Sequence, residues 1–161
     1  KIGRLDAEYF KDLNISVRGG EAFITGVVES RGEIEQIEST ANRVDGIKRV
    51  INAIQLKPYP FKQYMSDVAT GTNLRSRLVF TEDVYTSNYE ITIVKGQVYL
   101  FGWAYTADEI QKAVQVARTT KGVEKVYNYL RVMENGHAKL EEIKRERADS
   151  SSKDYGVDQV Q

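Results

Sequence analysis

EITIVKGQVYLFGWA, residues 90–104, predicts a β-hairpin. Apolar and polar residues alternate over residues 90–94, Lys95-Gly96 supplies a tight turn, and β-branched and aromatic residues continue to residue 104. A helix should follow, because Thr106 can accept the backbone N–H three residues on while Glu109 reaches back toward the cap. Four apolar residues at helical spacing then predict one buried face: Ile110, Ala113, Val114 and Ala117.

The flanking segments complete a five-element unit. Gly122 can adopt the left-handed conformation that ends a helix, and residues 125–132 predict a last strand, parallel to a neighbour if the helix is a crossover. Ahead of the hairpin, residues 67–80 predict another helix. Its expected core face is Val68, Gly71, Leu74 and Leu78, and its expected outer face is Ala69, Asn73, Ser76 and Arg77. The predicted order is αββαβ.

The same pattern occurs twice. A shift of 76 positions places residues 14–56 on residues 90–132 without a gap, and the glycines of the turns and helix ends coincide. The first copy has its own turn at Gly19-Gly20, a capping box of Ser30 with Glu33, and a helix stop at Gly46. Its expected helical face is Ile34, Ile37, Ala41 and Val44. The fold class predicted is α+β, with two αββαβ modules, each a three-stranded mixed sheet carrying helices on one face.

The repeat also predicts the domain organisation. Module one covers residues 1–57, residues 58–66 are a proline- and aromatic-containing linker, and module two covers residues 67–133. Residues 134–161 are expected to form a charged, solvated helix that passes into a disordered tail. Only residues 2–5 remain of the first helix of module one, so that module should lack this cover or borrow it from elsewhere. The absence of an initial methionine suggests processing or truncation.

Aromatic residues concentrate on one face of the predicted second sheet. Strand alternation places its aliphatic residues toward the helices and leaves an aromatic open face: Tyr99, Phe101, Trp103, Tyr127 and Tyr129. Five such rings form a larger apolar patch than a monomer usually exposes. The matching face of module one includes Phe23, Val27 and Ile51. The favoured hypothesis packs the two open faces as a sheet-on-sheet core; the alternative is a partner-binding face on a periplasmic protein–protein adaptor.

A second candidate site combines cations with aromatic side chains. Lys62, Arg75 and Arg77 are predicted near an aromatic and methionine-containing segment consisting of Tyr59, Phe61, Tyr64 and Met65. Such a surface suits an anionic lipid head group and its interface, where each basic residue contributes about 1 kcal/mol. An ordinary solvated helix with a packed linker is the alternative.

The glycine and apolar patterns resemble the BON domain. The resemblance rests on the hairpins ending near Gly26 and Gly102, and on GIKRVINAI (residues 46–54), GVEKVYNYL (residues 122–130) and NLRSRL (residues 73–78). The tandem is similar to dual-BON envelope lipoproteins and OsmY-type periplasmic proteins. This resemblance implies a non-enzymatic periplasmic protein, attached to the outer membrane, that binds anionic phospholipid and supports outer-membrane integrity. Carried over by position, the contact residues are Ala69, Thr70, Asn73 and Arg77, with Arg75 on the flank.

The composition disfavours other classes of function. Lys plus Arg and Asp plus Glu both total 23, so no global field attracts nucleic acid. There is no cysteine, and the single histidine, His137, falls in the charged segment, away from any expected pocket. No carboxylate spacing predicts a metal or glycosidase site, and no cofactor is expected. Exposed aromatic residues on a sheet are also typical of single-strand nucleic-acid platforms, but those interleave more cations than Arg131 provides.

Overall fold

A computed structural model describes residues 13–154 and shows two modules built on the same plan. In module one, the strands β1 (Leu13–Arg18) and β2 (Glu21–Val28) form a hairpin, followed by helix α1 (Arg31–Asn42) and strand β3 (Arg49–Leu56). In module two, helix α2 (Phe61–Val79) precedes strands β4 (Tyr89–Val94) and β5 (Gln97–Ala104), helix α3 (Ala107–Arg118) and strand β6 (Lys125–Val132). A final helix, α4, spans Gly136–Asp154.

Both sheets are mixed, as expected. In each, the hairpin is antiparallel and the crossover through the helix makes the last strand parallel to the middle one, with strand orders β1-β2-β3 and β4-β5-β6. The registers are equivalent: Phe23 pairs with Ile51, and Tyr99 pairs with Tyr127. The predicted α+β class with two three-stranded mixed sheets is confirmed.

The helix boundaries follow the predicted caps. Ser30 Oγ accepts from Glu33 N at 3.3 Å, and Thr106 Oγ1 accepts from Glu109 N at 3.1 Å. Gly46 and Gly122 follow the helices with φ of 90° and 92°, a conformation that disfavours any residue with a Cβ. The sequence therefore specifies both crossover helices by local chemistry.

Two boundaries differ from those expected. Helix α2 starts at Phe61, so most of the predicted linker is helical. Pro60 precedes the helix, and its carbonyl accepts the first helical hydrogen bond from Tyr64 N at 3.0 Å. A proline is compatible with a helix start because the N–H that it lacks has no partner within the helix. Helix α4 continues through Asp154, beyond the predicted start of the disordered tail at residue 148. Residues 155–161, and residues 2–5 of the expected first helix, lie outside the described residues.

The helix-side cores of the two modules differ in how completely they are covered. In module two, α2 and α3 both cover the sheet, and Leu74, Leu78, Ile91, Val98 and Leu100 are buried together. In module one, α1 covers Ile24, Val28 and Ile54 through Ile37. On β1, however, Ile15 is 36% exposed and Val17 is 53% exposed. The described part of module one thus lacks the second layer of cover that α2 provides in module two.

Candidate functional site

The aromatic open face of module two packs against the open face of module one. Across the interface, Phe23 stacks on Phe101 with ring centroids 4.9 Å apart, and within module two Tyr99 stacks on its strand neighbour Tyr127 at 4.8 Å. Residues of both sheets form one buried cluster: Phe23, Ile51, Ala53, Tyr99 and Phe101, with Tyr127 and Tyr129 packed at its edge. Trp103 lies against the β1–β2 turn, because a Cβ added to Gly19 would be 3.0 Å from its Cζ2. The sheets are therefore packed face to face.

Polar contacts close the edges of this interface. Glu21 accepts from Arg49 of its own module at 3.3 Å and also pairs with Arg131 of the other module. On the opposite side, the Tyr99 hydroxyl accepts from Gln55 at 3.2 Å and donates to Gln97 at 2.9 Å. Burial, more than any other cause, raises the pKa of Tyr99 to about 12, so the hydroxyl stays protonated and can donate at neutral pH.

Equivalent positions meet each other across the interface. Asn14 Nδ2 donates to Glu90 Oε1 at 3.0 Å, and the rings of Phe23 and Tyr99 have centroids 6.1 Å apart. Each pair is separated by the 76 positions of the repeat. Contacts between equivalent residues are what a twofold axis produces, so the modules are related by an approximate twofold.

This packing decides how the aromatic face is used. Phe101 and Phe23 are almost fully buried, and Arg131 is paired with Glu21. A partner or a nucleic-acid strand could reach the buried rings of Phe23, Tyr99 and Phe101 only if the modules separated. Tyr99 and Phe101 therefore belong to the interdomain core, Tyr127 and Tyr129 pack against it, and an adaptor would have to use another surface of the folded chain.

The beginning of α2 is fixed by a buried carboxylate. Asp67 is buried and accepts from the backbone N–H of Gly96 at 2.9 Å and from Gln63 Nε2 at 3.0 Å, and it also bonds Lys95 N and the Tyr59 hydroxyl. These bonds join the linker, the first turns of α2 and the β4–β5 turn. Burial and the Asp67 carboxylate raise the pKa of Tyr59 well above its ordinary value, which keeps this hydroxyl a donor.

The side of α2 that faces away from the core carries an exposed apolar stripe. Phe61 is 76% exposed, and Tyr64, Met65 and Val68 on the same side are each close to half exposed. Their spacing of three, four and seven residues from Phe61 places them on one helix face. We call Phe61, Tyr64, Met65 and Val68 the α2 stripe. Lys62 is exposed beside it, Pro60 gives no side-chain cap, and the first turn carries no acidic residue.

The structure separates the predicted lipid-contact residues into two groups. Lys62, Ala69 and Asn73 are exposed on the outer side of α2. Thr70 is only 6% exposed and faces the α3–β6 turn, where a Cβ on Gly122 would collide with its Oγ1, so its assignment to the contact surface is wrong.

The two arginines are engaged with backbone carbonyls. Arg77 Nη1 donates to Val116 O at 3.1 Å and to Thr120 Oγ1 at 2.6 Å, so it caps the end of α3 and does not face outward as expected. Arg75 Nη2 donates to Ile91 O at 2.6 Å, although its side chain remains exposed. Of the three basic residues predicted to meet an anionic head group, Lys62 therefore remains available, with the exposed Arg75 at the flank.

Sequence reasoning missed the role of two α2 residues. Val68 was expected in the core but is 45% exposed, whereas Asp67 was not expected to be buried and is 4% exposed. The rotation of the helix is set by Asp67, whose bonds to the β4–β5 turn pull that side inward. Asp67, Gly71, Leu74 and Leu78 follow one another at intervals of four, three and four positions, and this helical spacing could have revealed the buried face.

A second buried carboxylate organises the other end of module two. Glu109 Oε1 accepts from Tyr85 N and Oε2 accepts from Tyr105 N, both at 2.8 Å, so it reaches back to the backbone at the cap, as expected, and also holds the loop before β4. Burial raises the pKa of Glu109 above its ordinary value. Helix α4 contacts the same loop, with Lys144 Nζ 3.0 Å from Asp83 Oδ1 and the Arg147 guanidinium over the Tyr85 ring.

The described residues contain no helix of the length and apolar character needed to cross a bilayer. Within the same part of the chain, no three His, Asp or Glu side chains are grouped as a metal site would require.

A protein-family model described as BON domain matches the chain twice, over residues 4–58 and 66–134, which are the two copies of the repeat. The chain belongs to the BON family. It contains two BON domains in tandem.

Two curated relatives resemble most of the chain. An uncharacterised protein from the gshII 5′ region of Anaplasma centrale is 29% identical over 133 residues, covering 81% of this chain and 86% of the relative. Osmotically-inducible protein Y of Escherichia coli (strain K12) is 26% identical over 136 residues, covering 81% of this chain and 68% of the relative. The predicted similarity to OsmY-type tandem BON proteins is confirmed.

Among solved structures, the chain is similar to CdsD, described as a structural protein of the type III secretion system of Chlamydia trachomatis. The identity is 17% and the TM-score 0.32, and the match covers 84% of this chain and 62% of that one. A second structure of CdsD, containing its C-terminal domain, gives a TM-score of 0.32 at 16% identity.

Proposed function

We propose that this tandem BON protein is a non-enzymatic periplasmic protein that binds anionic phospholipid through the α2 stripe and supports the integrity of the outer membrane. Family membership and the relationship to osmotically-inducible protein Y support an envelope location. The observation that carries the proposal is a row of exposed apolar side chains, Phe61, Tyr64, Met65 and Val68, beside Lys62 on one helix end.

The chemistry of this helix end suits a membrane interface. The ring centroids of Phe61 and Tyr64 lie 6.5 Å apart, so the two rings offer a broad apolar surface. Met65 and Val68 extend this surface along the helix. Aromatic side chains favour the head-group level of a bilayer. The unpaired N–H groups of the first turn and the Lys62 ammonium would face the lipid phosphates, where positive charge is favoured.

Co-sedimentation with vesicles tests this proposal. The intact chain should sediment with phosphatidylglycerol–phosphatidylcholine vesicles, sediment weakly with pure phosphatidylcholine, and lose binding as salt is raised, because exposed charges are screened. Lys62→Glu should weaken binding about fivefold to thirtyfold, since it removes an attraction of about 1 kcal/mol and adds a repulsion of up to the same size. Lys121→Glu, which makes the same charge change at an exposed position after α3, is the control.

The apolar part of the site has its own matched pair. Phe61→Ser should reduce binding to anionic vesicles at least about tenfold, because it removes a side chain worth about 1.5–3 kcal/mol when buried. Phe80→Ser alters an equally exposed phenylalanine just after the other end of α2 and should change binding less than about twofold. Binding that is indifferent to lipid charge and to salt, or that is equally weakened by both substitutions, would contradict the proposal and favour a protein–protein adaptor.

A further inference from the structure

Side chains at equivalent positions of the interdomain core differ in size between the two modules, and one such pair lies at the edge of the core. Position 27 of module one is equivalent to position 103 of module two, and position 19 is equivalent to position 95. On one side, the Trp103 indole packs against the Gly19 turn. On the other side, the smaller Val27 and Val94, the residue before the Lys95 turn, line the same open space. The core therefore fills one of its two equivalent edges less completely.

A cleft of about 540 Å³ lies at the edge that contains Val27. Its apolar walls come from both modules and from the segment that joins them: Leu13, Val27, Tyr59, Tyr64, Ile93 and Val94. A volume of this size is within the range of about 300–1,000 Å³ that proteins use for small-molecule ligands. Asn14, Thr25 and Lys57 also line the cleft, but most of its exposed wall is apolar, so a hydrocarbon suits it better than a sugar or a nucleotide.

The cleft is continuous with the α2 stripe. Tyr64 lines the cleft and also belongs to the stripe, and its ring lies edge-on to Tyr59 with centroids 6.0 Å apart. A phospholipid whose head group lies at Lys62 would therefore have its hydrocarbon beside the entrance. Each methylene transferred from water to an apolar wall contributes favourably, so the cleft would retain a chain that entered it.

We propose that the cleft takes one acyl chain of a phospholipid whose head group is bound at the start of α2. This inference rests on the proposed function, and it adds that the protein holds a single lipid molecule between its two modules as well as resting on a bilayer surface. It also assigns a function to the valine at position 27, since the equivalent tryptophan would occupy the space.

The test uses monomeric lipid and the intact chain. We expect 12-carbon lysophosphatidylglycerol, below its critical micelle concentration, to shift the NMR signals of the Val27, Ile93 and Val94 methyl groups. Glycerophosphoglycerol, which has the head group without the chain, should leave them unchanged. Dodecanoate distinguishes the source of the chain: if it binds as tightly as the lysolipid, the site takes free fatty acid and the phospholipid assignment is overturned.

Filling the cleft should abolish uptake of the chain while sparing the membrane surface. Val27→Trp introduces the residue type found at position 103 and should raise the dissociation constant for the lysolipid at least about tenfold, because several methylenes lose their apolar contact. Binding of this variant to anionic vesicles should change less than about twofold, since the α2 stripe is unaltered. Val132→Trp adds an indole at an exposed position of β6 and is the matched control.

Two further measurements keep the inference separable from the proposed function. If Val27→Trp does not fold, Val27→Phe adds a smaller ring at the same position and should give a smaller loss in the same direction. Wild-type protein that sediments with anionic vesicles but shows no shift at the cleft methyl groups overturns the acyl-chain site alone. Wild-type protein that shifts these signals with lysolipid but does not sediment overturns the membrane-surface proposal and keeps the cleft. Equal lysolipid affinity in the wild type and both cleft variants overturns the inference.

Discussion

Ile15 and Ile91 occupy equivalent positions in the two modules, yet Ile15 is 36% exposed and Ile91 is 7% exposed. The sequence repeat is the same around both, and the strand register is the same. The difference is α2, which lies over β4 and has no described counterpart over β1. Equal local patterns can thus give unequal burial, because burial depends on which element lies above the strand.

Glu33 and Glu109 are equivalent polar residues that also differ in burial between the two modules. Each is the fourth member of a capping box, but Glu33 pairs with Ser30 near solvent whereas Glu109 is 1% exposed and holds two backbone N–H groups. Module two therefore has a fully enclosed helix-side core with internal polar anchors. Module one depends more on the interdomain core, where Phe23 is completely buried.

The largest effect should come from that shared core. Phe23→Ala and Phe101→Ala should each lower the free energy of unfolding by about 3–5 kcal/mol, because each leaves a cavity where two aromatic rings stack. Since both rings join the modules, urea denaturation followed by far-UV circular dichroism and by Trp103 fluorescence should show one common transition. Phe80→Ala, at an exposed position, should cost less than about 0.5 kcal/mol. Separate transitions of the two signals in the wild type would refute the shared core.

The equivalent isoleucines provide the next test. Ile91→Ala should cost about 2–5 kcal/mol, because its side chain is enclosed by α2 and the sheet. Ile15→Ala removes the same atoms from a partly exposed strand and should cost less than about 1 kcal/mol. The ratio of the two losses in urea titrations measures how much cover module one has. Equal losses would show that β1 is covered in solution as well as β4 is.

The sequence predicted those features that local chemistry determines. The caps at Ser30 and Thr106, the turns and the helix stops all require particular residue types at fixed spacing, so the pattern alone identified them. The packing of the open faces was also predictable, because five aromatic residues on one face of a sheet must be covered.

The candidate site was less predictable because it depends on helix rotation and on distant partners. Arg77 and Thr70 were expected on the outer face of α2. In the structure Arg77 contacts the end of α3 and Thr70 contacts the turn that follows it, so both side chains face inward. Asp67 bonds a turn that lies 28 residues away in sequence. The helical spacing can reveal that Asp67 faces the core, but it does not identify the distant groups that Asp67 bonds.

Glu109 should show a smaller effect that also depends on pH. Glu109→Gln should cost about 1–3 kcal/mol near neutral pH, because one of the two buried N–H groups loses a charged acceptor. Since burial raises the pKa of this carboxyl above 4.5, the folded state holds the proton more tightly than the unfolded chain does. The wild-type contribution therefore decreases as pH rises from 4.5 to the raised pKa, and is constant above it. The Gln variant should lack this decrease in urea titrations at several pH values, and Glu33→Gln should leave it intact.

The smallest effect should be the release of α4 from module two. Asp83 contacts Lys144 of α4 at 3.0 Å and Lys112 of α3 at 3.5 Å, and its hydrogen bond with Lys144 is the main cause that lowers the pKa of this carboxyl below 3.8. A lowered pKa means that this attraction is present above pH 3.8 and is lost as pH falls through the lowered value. Asp83→Asn should therefore speed amide hydrogen exchange in α4 at neutral pH while leaving exchange in β5 unchanged, because solvent-exposed ion pairs support local structure more than global stability.

Glu82→Gln removes a charge from the neighbouring position and should leave α4 protected. If Asp83→Asn has no effect on exchange, Leu140, which is buried where α4 begins, must hold the helix in place through apolar contact.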